Sequence, residues 1–291
     1  MGSRDDAEWG DRVSYGWPVE PFDKQHPVRG FFCDPRIGSA GGTSFHFGID
    51  ISVPNGTPVY SVIAGTVDLD VAGGAENIAV TSPGVTHGYW HVLPAVTQSQ
   101  HVAQGALLGH VAAPWGHVHF AERTPGGPYL NPLREGALTP FVKHNAPSID
   151  RIVAARGAQV VNANNLAGIV DLIAEAHDVT PIPPLAPYAD MPVTPASVCW
   201  RLVADATEVV PWQTAADFRT VLPANSLYNT VYAPGTTQNH PPKAGLYRFQ
   251  LAAAFNTSLH PDGSYRLDVE VTDTRENLST GHLTIVLTNG T

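Results

Sequence analysis

Between Gly30 and Leu133 the apolar residues come in short runs separated by Gly, Pro and Asn: Ile49–Val53, Pro58–Val67, Asn77–Thr81, Gly88–Leu93 and His117–Phe120. Runs of this length, rich in β-branched residues and bounded by turn formers, predict strands. Pro54-Asn55-Gly56 predicts a tight turn. In the run after it, Val59, Ser61 and Ile63 oppose Tyr60, Val62 and Ala64, and apolar groups on both faces predict a central strand. A second series follows at Arg151–Ala155, Gly168–Ala176, Ser197–Val203, Gly245–Ala253, Ser264–Thr272 and His282–Thr288. There Tyr265, Leu267, Val269 and Val271 alternate with Arg266, Asp268, Glu270 and Thr272, the pattern of a two-layer sandwich with one wet face, and the loop 274–281 closes a hairpin. Residues 168–179 can also be scored as an amphipathic helix through Ala174-Glu175-Ala176. The strand reading is preferred because Ile169, Asp171 and Ile173 keep the sandwich rhythm. The stretch 181–195 holds six prolines, which predicts an extended connection or edge crossing rather than a central strand. Residues 1–29 show little periodicity and are expected to run extended over the surface.

The expectation is an all-β chain: a compact antiparallel β-sheet domain over 30–147 followed by a β-sandwich over 148–291. A length of 291 residues accommodates two such cores. A hydrophobic content of 43% is too high for disorder, and 27 Gly with 26 Pro argue against a helical bundle. No apolar stretch is long enough for a membrane span, and the opening Met1-Gly2-Ser3-Arg4-Asp5-Asp6, which begins like a cloning remnant, lacks the apolar core of a signal peptide. Sixteen basic against 26 acidic side chains leave a formal charge of −10, which makes nucleic acid an unfavourable partner. Cys33 and Cys199 match no zinc knuckle, redox pair or disulfide framework. They are read as two buried thiols, with an interdomain bridge as the alternative.

Candidate chemistry lies in the first half. In Ser44-Phe45-His46-Phe47-Gly48-Ile49-Asp50-Ile51, even spacing puts His46 and Asp50 on one face of an extended backbone. In Gly116-His117-Val118-His119-Phe120, a strand aims both imidazoles into one cavity while Val118 and Phe120 pack behind. A carboxylate and two neutral imidazoles form a hydrolytic zinc set that leaves a fourth position for water. Each motif alone is weak, since 13 histidines produce such spacings by chance.

The run from His46 to Val67 resembles the opening of the lysostaphin-like zinc metallopeptidases, a peptidoglycan-cleaving family with HxxxD and HxH motifs. Tyr89-Trp90-His91-Val92 looks like that family's third element, and Asn131-Pro132 follows where the family often has Asp/Asn-Pro, so the resemblance covers about residues 30–134. It implies a lysostaphin-type peptidase domain with His46, Asp50 and His119 as Zn2+ ligands and His91 and His117 as the catalytic pair, one acting as general base and the other as donor. Which does which is left open. The absence of HExxH agrees, because histidine must then replace a glutamate base. Two departures stand out. The loop before HxH is short, so Pro114-Trp115 is a candidate apolar wall, and Ala75-Glu76-Asn77 replaces a Gly-Asn turn. Arg36 lies where such enzymes often carry a groove arginine, and a salt bridge toward Asp34 or Asp50 is the structural alternative. Arg36 and Trp115 are therefore candidate substrate contacts.

The last strands, 265–271 and 282–287 around the 273–277 turn, resemble Ig-like or fibronectin-like modules, with Tyr265 placed like a tyrosine corner. Such a domain could bind a protein partner, and no wall-anchoring repeat is visible. His87, His101 and His110 match no family position and are read as packing or surface residues, and His177 and His240 as uninvolved. The resemblance implies a secreted or extracytoplasmic zinc endopeptidase acting on peptidoglycan stem peptides or cross-bridges. The competing expectation is a catalytically silent, zinc-stabilised binding or scaffold protein.

Overall fold

The computed structural model describes residues 14–69, 76–157 and 159–290. The first half contains β1 (Val28–Gly30), β2 (Pro35–Ile37), β3 (Thr43–Phe45), β4 (Ile49–Ser52), β5 (Pro58–Tyr60), β6 (Gly65–Asp68), β7 (Asn77–Ser82), β8 (Val85–Trp90), β9 (Val92–Pro94), β10 (His101–Val102), β11 (Leu107–Val111), β12 (His117–Arg123) and β13 (Tyr129–Leu130). Its main antiparallel sheet runs β1-β4-β12-β8-β7-β6-β10, with β13 also pairing β12; a smaller sheet runs β5-β11-β9, and β2 pairs β3. Alternation sends Val118, Phe120 and Tyr89 into the core behind the sheet, all without solvent exposure. His117 and His119 therefore face the other way.

The second half contains β14 (Ser148–Arg156), β15 (Gln159–Val161), β16 (Ile169–His177), β17 (Ser197–Ala204), β18 (Thr207–Asp217), β19 (Arg248–Asn256), β20 (Gly263–Thr272) and β21 (Leu278–Leu287). They form two four-stranded antiparallel sheets, β15-β14-β16-β19 and β18-β17-β20-β21. Tyr265, Leu267, Val269 and Val271 are buried as their alternation requires, opposite Val170, Leu172, Phe249 and Leu251 of the first sheet. The Tyr265 hydroxyl donates to the Pro261 carbonyl at 2.8 Å. Residues 169–177 are strand, not helix. The 11-residue β18 is absent from the sequence reading; its Pro211 and exposed polar positions weaken the pattern and suit its place at a sheet edge.

Four expectations need correction. Residues 14–29 are not a surface segment, because Tyr15, Trp17, Val19 and Val28 are buried and β1 pairs with β4; residues 1–13 lie outside the described part. The run 58–67 is not one central strand but two, β5 and β6, and β5 is the edge of the small sheet. Its outer apolar face is covered by the same N-terminal segment: Tyr60 N–H donates to Pro18 O at 2.7 Å and the Phe22 and Tyr60 rings meet at 5.1 Å. The run 88–93 breaks at His91. Cys33 is buried and Cys199 only half-buried, and both are free thiols.

The apolar core is continuous between the halves. Phe45 packs against Phe218, Tyr228 and Tyr232, with centroids 5.4–5.8 Å apart. The proline-rich connection reaches back to β4, where Leu185 N–H donates to Ser52 Oγ at 3.1 Å.

Candidate metal centre and cleft

The register of β4 against β12 sets His119 opposite Asp50, and β8 sets Trp90 opposite His119. The loop between β3 and β4 brings His46 over the same spot. His46 Nε2 and His119 Nδ1 lie 2.8 Å apart, and each is 3.1 Å from Asp50 Oδ1. Ligands about 2.0–2.1 Å from a tetrahedral zinc are separated by roughly 3.3 Å, so this donor set fits that ion with small adjustments. Among the described residues this trio is the group of His, Cys, Asp or Glu side chains that could hold a metal. Gly48 is required by the approach: a Cβ there would collide with the Phe120 carbonyl oxygen and come within 2.9 Å of His119 Nε2.

Each ligand is held by a second contact. His46 Nδ1–H donates to Phe31 O at 2.8 Å, which leaves Nε2 with its lone pair toward the metal position. The Phe31–Asp34 turn is itself fixed, because Asp34 accepts Phe31 N–H at 3.0 Å and Thr194 N–H at 2.7 Å, and Tyr232 OH donates to Cys33 O at 2.8 Å. Asp50 Oδ2 accepts from Arg36 at 2.9 Å. Arg36 thus forms the structural ion pair, with Asp34 more distant at 3.9 Å. His119 rests among the rings of Phe47 and Trp90, with centroids at 4.4 and 5.3 Å.

His91 and His117 stand beside the trio, their centroids 4.6 Å apart. His91 has φ of 66°, a left-handed conformation uncommon for a non-glycine residue, and it is the point at which β8 gives way to β9. That backbone turn takes its ring out of the strand alternation and stacks it 3.9 Å from Trp115. Trp115 is 42% exposed at the cleft edge, its Nε1–H donating to Glu76 at 2.8 Å. His117 Nε2 is 3.5 Å from Asp50 Oδ1. Its Nδ1 touches Trp115 O at 2.9 Å and the Arg29 guanidinium at 2.6 Å. A carbonyl only accepts and a guanidinium only donates, so Nδ1 satisfies one of them at a time. Burial pushes His117 and His119 down to about 4 and His91 to about 3, and lowers His46; Asp50 is held well below the usual carboxylate range by the neighbouring histidines against the effect of burial. The imidazoles are therefore neutral near pH 7, as metal ligation and general-base action require.

These groups line a cleft of about 940 Å³ whose walls include Arg29, Phe47, Trp90, Trp115, Arg123 and Tyr129. All seven residues singled out from sequence, namely His46, Asp50, His91, His117, His119, Arg36 and Trp115, border it. Arg29 was missed. It lies in the segment read as a surface tail, and only the β1–β4 pairing and the Tyr188 ring, 4.3 Å from its guanidinium, bring it to His117. His87, by contrast, is buried behind the sheet, stacked on Phe120.

No curated protein matches this chain. A zinc-containing peptidase from Vibrio cholerae is similar at 23% identity and TM-score 0.33, over 39% of this chain and 37% of that one. The chain thus spans little more than a third of that peptidase. The catalytic domain of a prophage-encoded M23 protein from Enterococcus faecalis, in a mutant form, is similar at 23% identity and TM-score 0.33, over 44% and 99%. The catalytic domain of the antimicrobial peptidase lysostaphin from Staphylococcus simulans is similar at 22% identity and TM-score 0.28, over 32% and 77%. Residues 44–132, which contain the three clustered residues and both flanking histidines in order, match the family model described as Peptidase family M23.

Proposed function

We propose that the protein is a zinc-dependent endopeptidase that hydrolyses amide bonds in peptidoglycan stem peptides or cross-bridges, outside the cytoplasm. The observation that carries this reading is the meeting of His46 Nε2, Asp50 Oδ1 and His119 Nδ1 within 3.1 Å of one another, beside two further neutral histidines in an open cleft. Zinc held there would act as a Lewis acid on the scissile carbonyl and lower the pKa of water toward ~7. His117 serves as base through Nε2 when its Nδ1–H donates to Trp115 O, and His91 then faces the oxyanion or the leaving amine. Arg29, freed from His117 in that state, and the aromatic walls formed by Trp115 and Tyr129 are the groups offered to the substrate. Arg36 acts on Asp50 and not on the substrate. We assign residues 148–291 as a β-sandwich domain of Ig-like or fibronectin-like type; the strand order of its two sheets and the Tyr265 contact support that reading.

The test is metal analysis of the purified protein together with digestion of defined muropeptides read by mass spectrometry, with His119→Ala and His117→Ala alongside. Bound zinc, chelator-sensitive cleavage, loss of metal in the first variant and loss of turnover with retained metal in the second are expected. Protein without zinc, or cleavage that survives its removal, would overturn the proposal.

A further inference from the structure

Outside the cleft, Lys143 is buried with its ammonium between two buried aspartates. Its Nζ is 2.8 Å from Asp178 Oδ1 and 3.0 Å from Asp273 Oδ2, and it also donates to Asn145 O. Lys143 lies in the connection entering β14, Asp178 directly follows β16, and Asp273 directly follows β20. The two carboxyl groups are not equivalent. Asp273 accepts Arg275 N–H at 2.7 Å, Asn277 N–H at 3.0 Å and Asn277 Nδ2–H at 2.8 Å. Asp178 accepts Val179 N–H at 2.7 Å on Oδ1, while its Oδ2 is buried without a hydrogen-bond partner among the described residues. Phe31, Phe32, Leu133 and Phe218 enclose the neighbouring space. Burial raises the Asp178 carboxyl to about 6, toward the neutral form that an amine can attack.

We propose that Lys143 and Asp178 become joined by an intramolecular isopeptide bond, with Asp273 as the group that receives the amine's proton. Asp273 takes one proton from the ammonium, and the free amine attacks Cγ of protonated Asp178. The Cγ–OH bond breaks, the hydroxyl leaves as water with a proton passed from the attacking nitrogen, Nζ keeps one hydrogen in the new amide, and Asp273 is left holding the first proton. The net change is ammonium, protonated Asp178 and the Asp273 carboxylate to amide, water and protonated Asp273, with no oxidant or co-reactant. It removes two opposite charges from a place where keeping them desolvated is costly. The amide would clasp the connection between the two halves to the end of β16, closing a covalent loop that mechanical load or a protease must cut rather than unfold.

Intact-mass measurement of the folded wild-type chain tests this directly. The expected mass is lower than the sequence mass by one water, and digestion is expected to yield a branched peptide joining the Lys143 and Asp178 segments. Lys143→Met is expected at full mass, and Asp273→Asn, which keeps an acceptor for Arg275 and Asn277, at full or only slowly falling mass. Wild-type protein at full mass overturns the proposal, as does a missing water that maps to a cyclic imide at Asp262-Gly263. Conversion of Asp273→Asn at the wild-type rate overturns the role given to Asp273.

Discussion

Gly48→Ala tests the link between sequence and metal site most directly. The residue sits midway between His46 and Asp50, and a methyl group there meets β12 backbone at Phe120 O and the His119 ring at 2.9–3.0 Å. Phe120 O is anchored in a strand paired on both sides, so the loop carrying Gly48 and the His119 ring are the parts that yield. Overpacking of this kind costs about 1–3 kcal/mol. In a chain of this size that lowers the melting temperature by roughly 2–4 °C for each kcal/mol. The ring displacement also draws Nδ1 away from its 3.1 Å contact with Asp50 and its 2.8 Å contact with His46. Misorienting one ligand is expected to weaken zinc binding about 10–100-fold, on the scale of losing an orienting partner. Melting of the metal-free protein and zinc titration against a competing chelator measure the two effects separately. Gly42→Ala, where an added Cβ meets nothing within 4 Å, is the control. Wild-type zinc affinity and unchanged metal-free stability in Gly48→Ala would refute the reasoning.

Arg36→Met is expected to reduce zinc affinity about tenfold by freeing Asp50 Oδ2, while a partly exposed guanidinium makes the stability loss no more than about 1 kcal/mol; chelator competition and denaturant melts separate these. His87, lowered to about 4 by burial, stays neutral when folded and protonates near 6.5 when unfolded, so its contribution to stability is present above pH 6.5 and lost as pH falls toward 4. His87→Phe should therefore shrink the pH 7 to pH 4 stability difference by about 3 kcal/mol in denaturant titrations, and an unchanged difference would contradict the assignment. Asp34→Ala removes the acceptor of two buried N–H groups, one from each half of the chain, and should cost about 1–3 kcal/mol for each N–H left unpaired, measured as a shift in the urea midpoint.

Part of the site was legible because Asp50, His117 and His119 lie within two strands, β4 and β12, whose alternation fixes the facing side. His117 and His119 share a face by spacing alone, and Gly48 flags the close approach between His46 and Asp50. What sequence could not carry were contacts made by residues distant along the chain. Arg29 has no local signal, and it reaches His117 only through pairing with β4 and the ring of Tyr188, 159 positions later. The misreading of 58–67 as central has the same origin: an edge strand looks apolar on both faces when the segment carrying Pro18 and Phe22 covers it. The break at His91 rests on one backbone torsion, which no periodicity encodes.

The carbonyl that orients His46 belongs to Phe31, outside the 44–132 segment, and its turn is pinned by Thr194 and Tyr232 from beyond it. Transplanting the 44–132 stretch onto a foreign scaffold would deliver every ligating atom yet leave the first imidazole free to rotate. The catalytic apparatus is in this sense not a detachable cassette: the distal half is part of the jig that aligns it.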